Sequence, residues 1–481
     1  MKKVLCLLLA FVLPLGTLCA AAEDEISILI YGSPLTIPNT DPIIPELNRR
    51  LGMNITIEAG DDEALTARVA GGDLPDVMLV SSTSAFSALQ ENGVLLNITE
   101  QIDKMPELRA AFTDVEWAKL SVNGEIFGIP RRPEANYLGW YIRYDWLATL
   151  GVEQPTTFDE LYDVCVKMRD ADLDGNGQND TYPISGRLDT AFCGFFTAYG
   201  TAGWGDIILE DGKPVYCVTT DNFRMAVEEI RRFTEAGLID PEVVANTFDV
   251  MREKMGTGKV GVCGCGWSET GRSTHKEVIN AIYPDARWDY MKSLITTPYG
   301  TAGSILNASG SNNKFSVFSA DLADCPEKLA AIMELYRYIT VDEGDILLSF
   351  GIEGQHHDVV DGIIVKRPEM DELSYGWAIQ ITGRQDALYC NTKFPECKEG
   401  IDFAATQIPI IYTYDTLVQT PEGYNIADLH AYEEEMVLKF MFGKESMDKW
   451  DEFINTLYNV YNLEMYMNSA VEQLTALDIL P

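Results

Sequence analysis

Asp172, Asp174, Asn176 and Asp180 place oxygen-bearing side chains at alternating positions of Asp172-Leu-Asp-Gly-Asn-Gly-Gln-Asn-Asp180, and Gln178 fills the one gap with its backbone carbonyl. Hard oxygen donors at this spacing, with Gly177 at the sixth place, are the pattern of a loop that wraps calcium. The twelfth place holds Pro183 where a bidentate Glu usually closes the shell, so the remaining donors come from elsewhere in the chain or from water. The same residue types also make ordinary turns without a metal. Five candidate donors in alternation favour one structural Ca²⁺ held by Asp172, Asp174, Asn176, Gln178 and Asp180. Such an ion pins a helix end to a strand start and does not by itself imply catalysis.

Other reactive constellations are sparse. The chain has four histidines. The one pair, His356-His357, is adjacent in sequence, so its rings point to different faces, and no partner residue is evident. No nucleophile elbow, phosphate-binding loop, zinc helix or dinucleotide fingerprint occurs. Cys263-Gly-Cys265 lacks the two-residue spacer of a zinc site. Carboxylates are abundant, so a glycosidase pair has opportunity without a specific signal. Eight cysteines follow residue 22, at Cys165, Cys193, Cys217, Cys263, Cys265, Cys325, Cys390 and Cys397. Cys390 and Cys397 are the pair spaced for a local disulfide, and the sequence leaves the pairing open.

The elements that hold these residues alternate between strand and helix. Thr157-Phe-Asp-Glu160 is a capping box, and Phe158, Leu161, Cys165 and Met168 recur at helical spacing, which predicts a helix over 158–170 running into the acidic loop. Pro183 then keeps the chain extended. Strands are predicted over 26–31, 54–58 and 76–80, with helices over 62–70 and 83–91 between and after them. That alternation indicates a parallel sheet covered by helices, whose ligands sit at the carboxyl ends of the strands. Tyr31, Ser33, Ser81 and Ser82 fall on that rim, where the serines could equally be helix N-caps. Asn123-Gly124 marks a hairpin. Arg131-Arg132 reads as a solvated basic pair beside a cleft. Residues 192–204 read as a glycine-broken aromatic loop facing that cleft, and 264–267 as a turn after a short strand. Residues 247–255 read as a helix, and 355–430 are poorly patterned.

The chain begins as a secreted protein would. Lys2-Lys3, an apolar run and Ala20-Ala21-Ala22 form a signal peptide over 1–22. Leu18 before Cys19 disfavours a lipid anchor there, so simple secretion is the preferred reading. Removing 1–22 takes two lysines and no acids, moving the formal charge from −38 to −40. So acidic a surface repels phosphate backbones and anionic lipids, which argues against nucleic-acid and membrane-surface binding. A polyanionic ligand would need a local basic site. The length exceeds what one core serves, so two or more domains are expected.

Ile129-Pro130, Tyr141-Ile-Arg-Tyr-Asp-Trp-Leu-Ala-Thr-Leu-Gly151, Pro155-Thr-Thr-Phe-Asp-Glu-Leu161 and the acidic loop, in this order, resemble the extracellular solute-binding proteins of bacterial ABC importers. The resemblance is nearest to the large oligosaccharide-binding branch that includes alginate-binding proteins. Gly72-Asp-Leu-Pro-Asp-Val77, Phe350-Gly-Ile-Glu-Gly354 with Asp361-Gly362, and Phe442-Gly-Lys444 with Trp450-Asp-Glu-Phe453 extend it over most of the chain.

The resemblance implies an α/β, two-lobed periplasmic-binding-protein fold of type II character with an interlobe ligand cleft. The division expected is 23–130 plus 300–355 for the first lobe, and 131–299 plus 356–481 for the second, with the calcium loop and C-terminal helices on the second. It implies a monomer that captures a carbohydrate, an oligosaccharide first, and delivers it to permease subunits without turnover. A secreted carbohydrate-active hydrolase is the alternative, and a calcium-stabilised adhesin a third reading. Trp267 follows a short strand where the family often turns an aromatic ring to its sugar. Trp204, between two glycines, is expected beside it. Ser33, Ser82 and Glu353 are the polar candidates.

Overall fold

The computed structural model describes residues 26–32, 41–80, 83–132, 138–308, 314–373 and 376–480. The expected signal peptide, Cys19, Ser33, Ser81 and Ser82 lie outside the described residues. The strands of the two main sheets are, in chain order, β1 (Ile26–Gly32), β2 (Met53–Ala59), β3 (Val77–Val80), β4 (Gly128–Pro130), β5 (Leu138–Arg143), β6 (Tyr182–Gly186), β7 (Val260–Gly266), β8 (Trp288–Tyr290) and β9 (Phe315–Phe318). The first sheet runs β2-β1-β3-β9-β4, with β1, β2 and β3 parallel and β9 antiparallel to both its neighbours. The second runs β8-β5-β7-β6, with β7 parallel to β6 and antiparallel to β5. β3 is apolar and buried at every position, as a strand covered on both faces must be.

Five helices matter below: α1 (Phe158–Asp170), α2 (Phe248–Gly256), α3 (Ser273–Ile279), α4 (Asp386–Lys393) and α5 (Ile426–Met441). α1 begins where the capping box puts it: Thr157 Oγ1 accepts from Glu160 N–H at 3.2 Å. Its buried face is Phe158, Leu161, Val164, Cys165 and Met168. The architecture is α/β in two lobes, each sheet having its own core. α5 and the helices after it bury Val437, Phe440, Phe453 and Leu457 in the second core.

The expected division of the chain needs correction after residue 300. Ser304–Asn307 pairs in parallel with Ile410–Thr413, and Ile305 packs on the second core, so the return to the first sheet follows residue 307. Met370, Trp377, Tyr389, Cys390 and Ile401 lie in the first core, whereas the sequence assigned everything after 355 to the second lobe. These short helices bury Trp377, Ile381, Tyr389 and Ile401 in the first core, while Ala404 and Ile408 turn to a separate cluster with Tyr141 and Tyr290, so no single amphipathic period runs through them. Arg131-Arg132 is likewise not a solvated pair. Arg131 is buried and donates to Gln380 at 3.0 Å, and Arg132 pairs with Asp345 at 2.9 Å and donates to the Thr340 carbonyl. Arg131 ties the first crossing to the seam helix that holds Gln380, and Arg132 ties it to the first-lobe helices that hold Thr340 and Asp345.

Residues 192–204 are core rather than a cleft loop. Cys193–Ala198 is a helix, and Phe195 stacks on Phe158 with centroids 5.0 Å apart. Gly194 is required there because a Cβ would come within 2.6 Å of the Trp140 indole. β7 continues through Cys263-Gly-Cys-Gly266, where the sequence predicted a turn. Gly264 keeps it close to the next layer, since a Cβ there would meet the Thr190 carbonyl at 2.6 Å. Cys165, Cys193, Cys217, Cys263, Cys265, Cys325 and Cys397 stand outside any disulfide, and Cys390 and Cys397, the pair spaced for a local bond, are both buried. His356 and His357 are buried, and His356 Nδ1 accepts from Ile352 N–H at 2.9 Å, a structural role.

Carboxylates tie α5 to the second lobe. Glu433 is fully buried and accepts from Tyr216 Oη at 2.6 Å and from Gly205 N–H at 2.9 Å. Asp206 accepts from Gly203 N–H at 2.7 Å. Burial lifts the Glu433 carboxyl to about 7. Burial, then the nearby Asp415 charge, lifts Asp206 to about 8. Unfolded carboxyls titrate near 4 (roughly, for model peptides), so between that pH and 7–8 the native state holds more protons than the unfolded one. These groups therefore stabilise the fold fully below the unfolded value, and the contribution is lost as pH rises through their folded values. Glu433→Gln should flatten the fall in melting temperature between pH 5 and pH 8 relative to the parent chain. Parallel melting curves for the two across that range would contradict the assignment.

Candidate functional site

The carboxyl ends of β1, β2, β3 and β4 form one edge of the first sheet, at Gly32, Ala59, Val80 and Pro130. The corresponding edge of the second sheet holds Gly186 and Gly266, with Leu138 opposite Gly266. Ligands of open α/β sheets bind at such edges, outside the carboxyl ends of the strands.

The second edge is held rigid by a buried polar network. Asp240 is fully buried and accepts from Ser185 Oγ at 2.7 Å, Asn246 Nδ2 at 3.0 Å and Lys254 Nζ at 2.8 Å. Asn246 also donates to the Gly186 carbonyl at 2.9 Å. Burial opposes the Asp240 charge, but the Lys254 ammonium and the Asn246 amide outweigh it and hold the carboxyl below its usual range. This network fixes Thr247, whose hydroxyl caps α2 by accepting from Val250 N–H at 3.3 Å.

The first residue of α2, Phe248, is consequently 50% exposed at the rim. The Arg187 guanidinium lies 3.6 Å from its ring centroid and that of Arg252 lies 5.4 Å away. Arg252 also makes a two-pronged pair with buried Glu269, at 2.6 and 3.0 Å. Sequence pattern located the helix but not the exposure of its first ring, which depends on α2 running back from the carboxyl edge.

Trp267 begins the short helix Trp267–Gly271 directly after β7. It is partly buried against the first core, and also against a cluster behind the second sheet that includes Tyr141, Cys263, Cys265 and Tyr290. Its ring lies 5.5 Å from that of Phe394, just after α4. Trp267 therefore sits at the seam of the lobes. Trp204 does not join it. Its ring meets Phe196 edge-on at 6.2 Å and packs on the second core. The flanking glycines serve the carboxylate-anchored turn, since Gly203 and Gly205 donate to Asp206 and Glu433 and Gly205 has φ +81°. Glu353 is exposed, bridged through its backbone to His357 at the base of the hairpin His357–Lys366.

The acidic loop draws its side chains inward. Asn176 Nδ2 donates to Asp174 at 2.8 Å and to Asp180 at 3.0 Å, and Gly177 N–H donates to Asp172 at 3.0 Å. Gln178 N–H donates to Asn176 Oδ1 at 2.7 Å. Gly175 and Gly177 take φ of +72° and +82°, the left-handed turn a wrapping loop needs. Lys259 pairs with Asp180, and Tyr283 Oη donates to the Asp174 carbonyl at 3.0 Å. Burial, then the nearby Asp172 carboxyl, raises Asp174 above the usual carboxylate range. Among the described residues no three His, Cys, Asp or Glu groups form a preassembled metal cage. The donor set is nonetheless all oxygen, in the order a hard cation takes, with the Asn176 amide bridging Asp174 and Asp180 and the Lys259 ammonium paired with Asp180.

Residues 40–310 match the family model described as bacterial extracellular solute-binding protein. Over 266 residues the chain is 29% identical to the fructooligosaccharide ABC transporter substrate-binding protein FusA of Streptococcus pneumoniae, covering 50% of this chain and 49% of that protein. The match thus spans about half the length of that relative. Among solved structures, the FusA EF-hand mutant from S. pneumoniae in complex with fructo-nystose superposes with a TM-score of 0.69 at 20% identity, covering 94% of this chain and 99% of that one. The alginate-binding protein AlgQ2 without calcium ion gives 0.67 at 18% identity, covering 95% and 98%. These likenesses show a two-lobed binding-protein fold.

Proposed function

The chain belongs to the bacterial extracellular solute-binding protein family, and from that premise we propose that it captures an oligosaccharide between its lobes and hands it to the permease of an ABC importer. The observation that carries this reading is the placement of Trp267 at the carboxyl end of β7, packed both on the first core and on the cluster behind the second sheet. Sugars offer apolar C–H faces and polar edges, so a sugar site pairs flat rings with hydrogen-bonding groups. The exposed Phe248 and the Arg252–Glu269 pair add a second ring and polar partners on the same edge. The fructooligosaccharide and alginate specificities of FusA and AlgQ2 support a saccharide over other solutes.

The protein works outside the cytoplasm. Among the described residues no helix is long and apolar enough to cross a membrane. Its relatives are binding components, and it turns over no substrate.

The acidic loop is a structural calcium site in this reading. Asp172, Asp174, Asn176 and Asp180 supply side-chain oxygens and Gln178 its backbone carbonyl, and the ion would neutralise carboxylates that now crowd one another. It would fix the end of α1 to the start of β6. Chelator should lower the melting temperature of the wild-type chain, and Asp174→Ala should abolish that response. A wild-type melting temperature indifferent to both calcium and chelator would remove the ion from the account.

A thermal-shift screen against glycans finds the ligand, because a molecule bound only by the native state raises the melting temperature. With that ligand, Trp267→Ala should weaken binding by about 1–3 kcal/mol, the apolar contact of one large ring. Calorimetry showing unchanged affinity in a normally folded Trp267→Ala chain would take the indole out of the site.

A further inference from the structure

The first sheet has two faces, and Trp267 serves one of them. Along β3, Val77 and Leu79 enter the core that Trp267 and Phe394 pack against, whereas Met78 and Val80 turn to the other side, into a separate cluster with Phe86 and Phe315. On that other side a cavity of about 430 Å³ opens between the lobes. Phe86 and Gln90, on the helix Thr83–Glu91, and Asn123, at a hairpin turn, line its first-lobe wall. Leu417, Gln419 and Gln473 line the opposite wall. That wall belongs to the second lobe: Tyr414 and Val418 pack on the second core, and the helix Leu463–Ala476 buries Tyr466 and Ala470 there.

The cavity has the volume of a small-ligand cleft, and its walls are fixed. Phe86 and Leu417 are buried, and Phe86 meets Phe315 edge-on with centroids 5.5 Å apart. Gln473 Oε1 accepts from Gln419 N–H at 2.7 Å, and its Nε2 donates to the Gln419 carbonyl at 2.9 Å. This clamp holds the Gln419 main chain and leaves its side chain exposed. Among the described residues the side-chain amides of Gln90 and Gln419 have no hydrogen-bond partner. The walls also sense each other across the lobe boundary. Lys119 lines the cavity with Nζ 5.8 Å from the Phe315 ring centroid. Burial pushes its ammonium down to about 8, and the charge that opposes this most is Asp415 of the second lobe. Apart from Lys119 and Glu91, the polar lining is amide and hydroxyl.

We propose that this cavity is a second saccharide subsite, in which Gln90 and Gln419, one from each lobe, read the hydroxyls of an uncharged sugar residue while another residue of the same glycan lies against Trp267. This rests on the reading of Trp267 as a sugar platform and adds a selection for chain length. An amide presents a donor and an acceptor in one plane, the complement of adjacent hydroxyls. The cavity and Trp267 flank a sheet that is about 10 Å thick with its side chains. A glycan that reaches both must therefore cross the carboxyl edge at Gly32, Val80 and Pro130. A disaccharide fills one subsite, whereas a longer chain engages both, and the second contact is made at high effective concentration.

The test is calorimetry of the full chain against size-fractionated neutral ladders of fructo-, gluco- and galacto-oligosaccharides, from the disaccharide upward. In the ladder that binds, affinity should rise by at least about tenfold from the disaccharide to the plateau. Gln90→Ala and Gln419→Ala should each cut that gain to about threefold or less, because only the long members lose affinity. Trp267→Ala should weaken short and long members alike. Ligand-free melting temperatures check that both glutamine variants fold normally, as side chains that hold no other residue allow. A disaccharide binding as tightly as the longest member, folded glutamine variants that keep the full gain with length, or a chain that takes only acidic glycans would overturn the subsite and leave the oligosaccharide reading standing. No saccharide of any length raising the melting temperature of the parent chain would overturn both.

Discussion

A single indole joins the first core to the cluster behind the second sheet. Trp267 leaves β7 at the carboxyl edge of the second sheet and lies against Phe394, which belongs to the segment packed on the first core. Whatever sets the distance between the lobes therefore also sets the surroundings of this ring. The seam helices reinforce the coupling. Arg131 binds one of them to the first crossing through Gln380, and Gly271 lies so close to Cys397 that a Cβ would meet its sulfur at 2.7 Å. A closing motion would be felt at one aromatic surface, which is where a two-lobed binding protein reads its ligand.

Rigid anchors flank this seam on the second lobe. The Asp240 network fixes the loop before α2, and buried Glu433 fixes α5 to the turn at Gly205. Both place a carboxylate out of water and satisfy it with several donors, an arrangement that specifies geometry more than it adds stability. The lobes can then act as solid bodies, and the acidic loop ties the end of α1 to β6 in the same manner.

Much of this was legible in the sequence where local signals agreed. The helix over 158–170 and those over 62–70 and 83–91 were marked by caps, stops and period. The oxygen alternation at 172–180 drew attention to a loop whose side chains do converge. Trp204 was misread because its glycines looked like space for a ring. They serve a turn whose N–H groups feed Asp206 and Glu433, partners distant in sequence or invisible to pattern. The helices over 376–407 escaped the pattern because they are short and their buried residues divide between the first core and a separate cluster. Phe248 was missed because its exposure depends on where α2 starts relative to the sheet edge. Gln90 and Gln419 are far apart in sequence, and only the fold brings them to one cavity.

The central claim is capture without turnover. The most direct measurement is to saturate the purified chain with an oligosaccharide pool, wash it for hours, release the bound fraction and weigh it by mass spectrometry. The account predicts a stoichiometric recovery of intact chains of a narrow size range. Shortened products accumulating with time would contradict it.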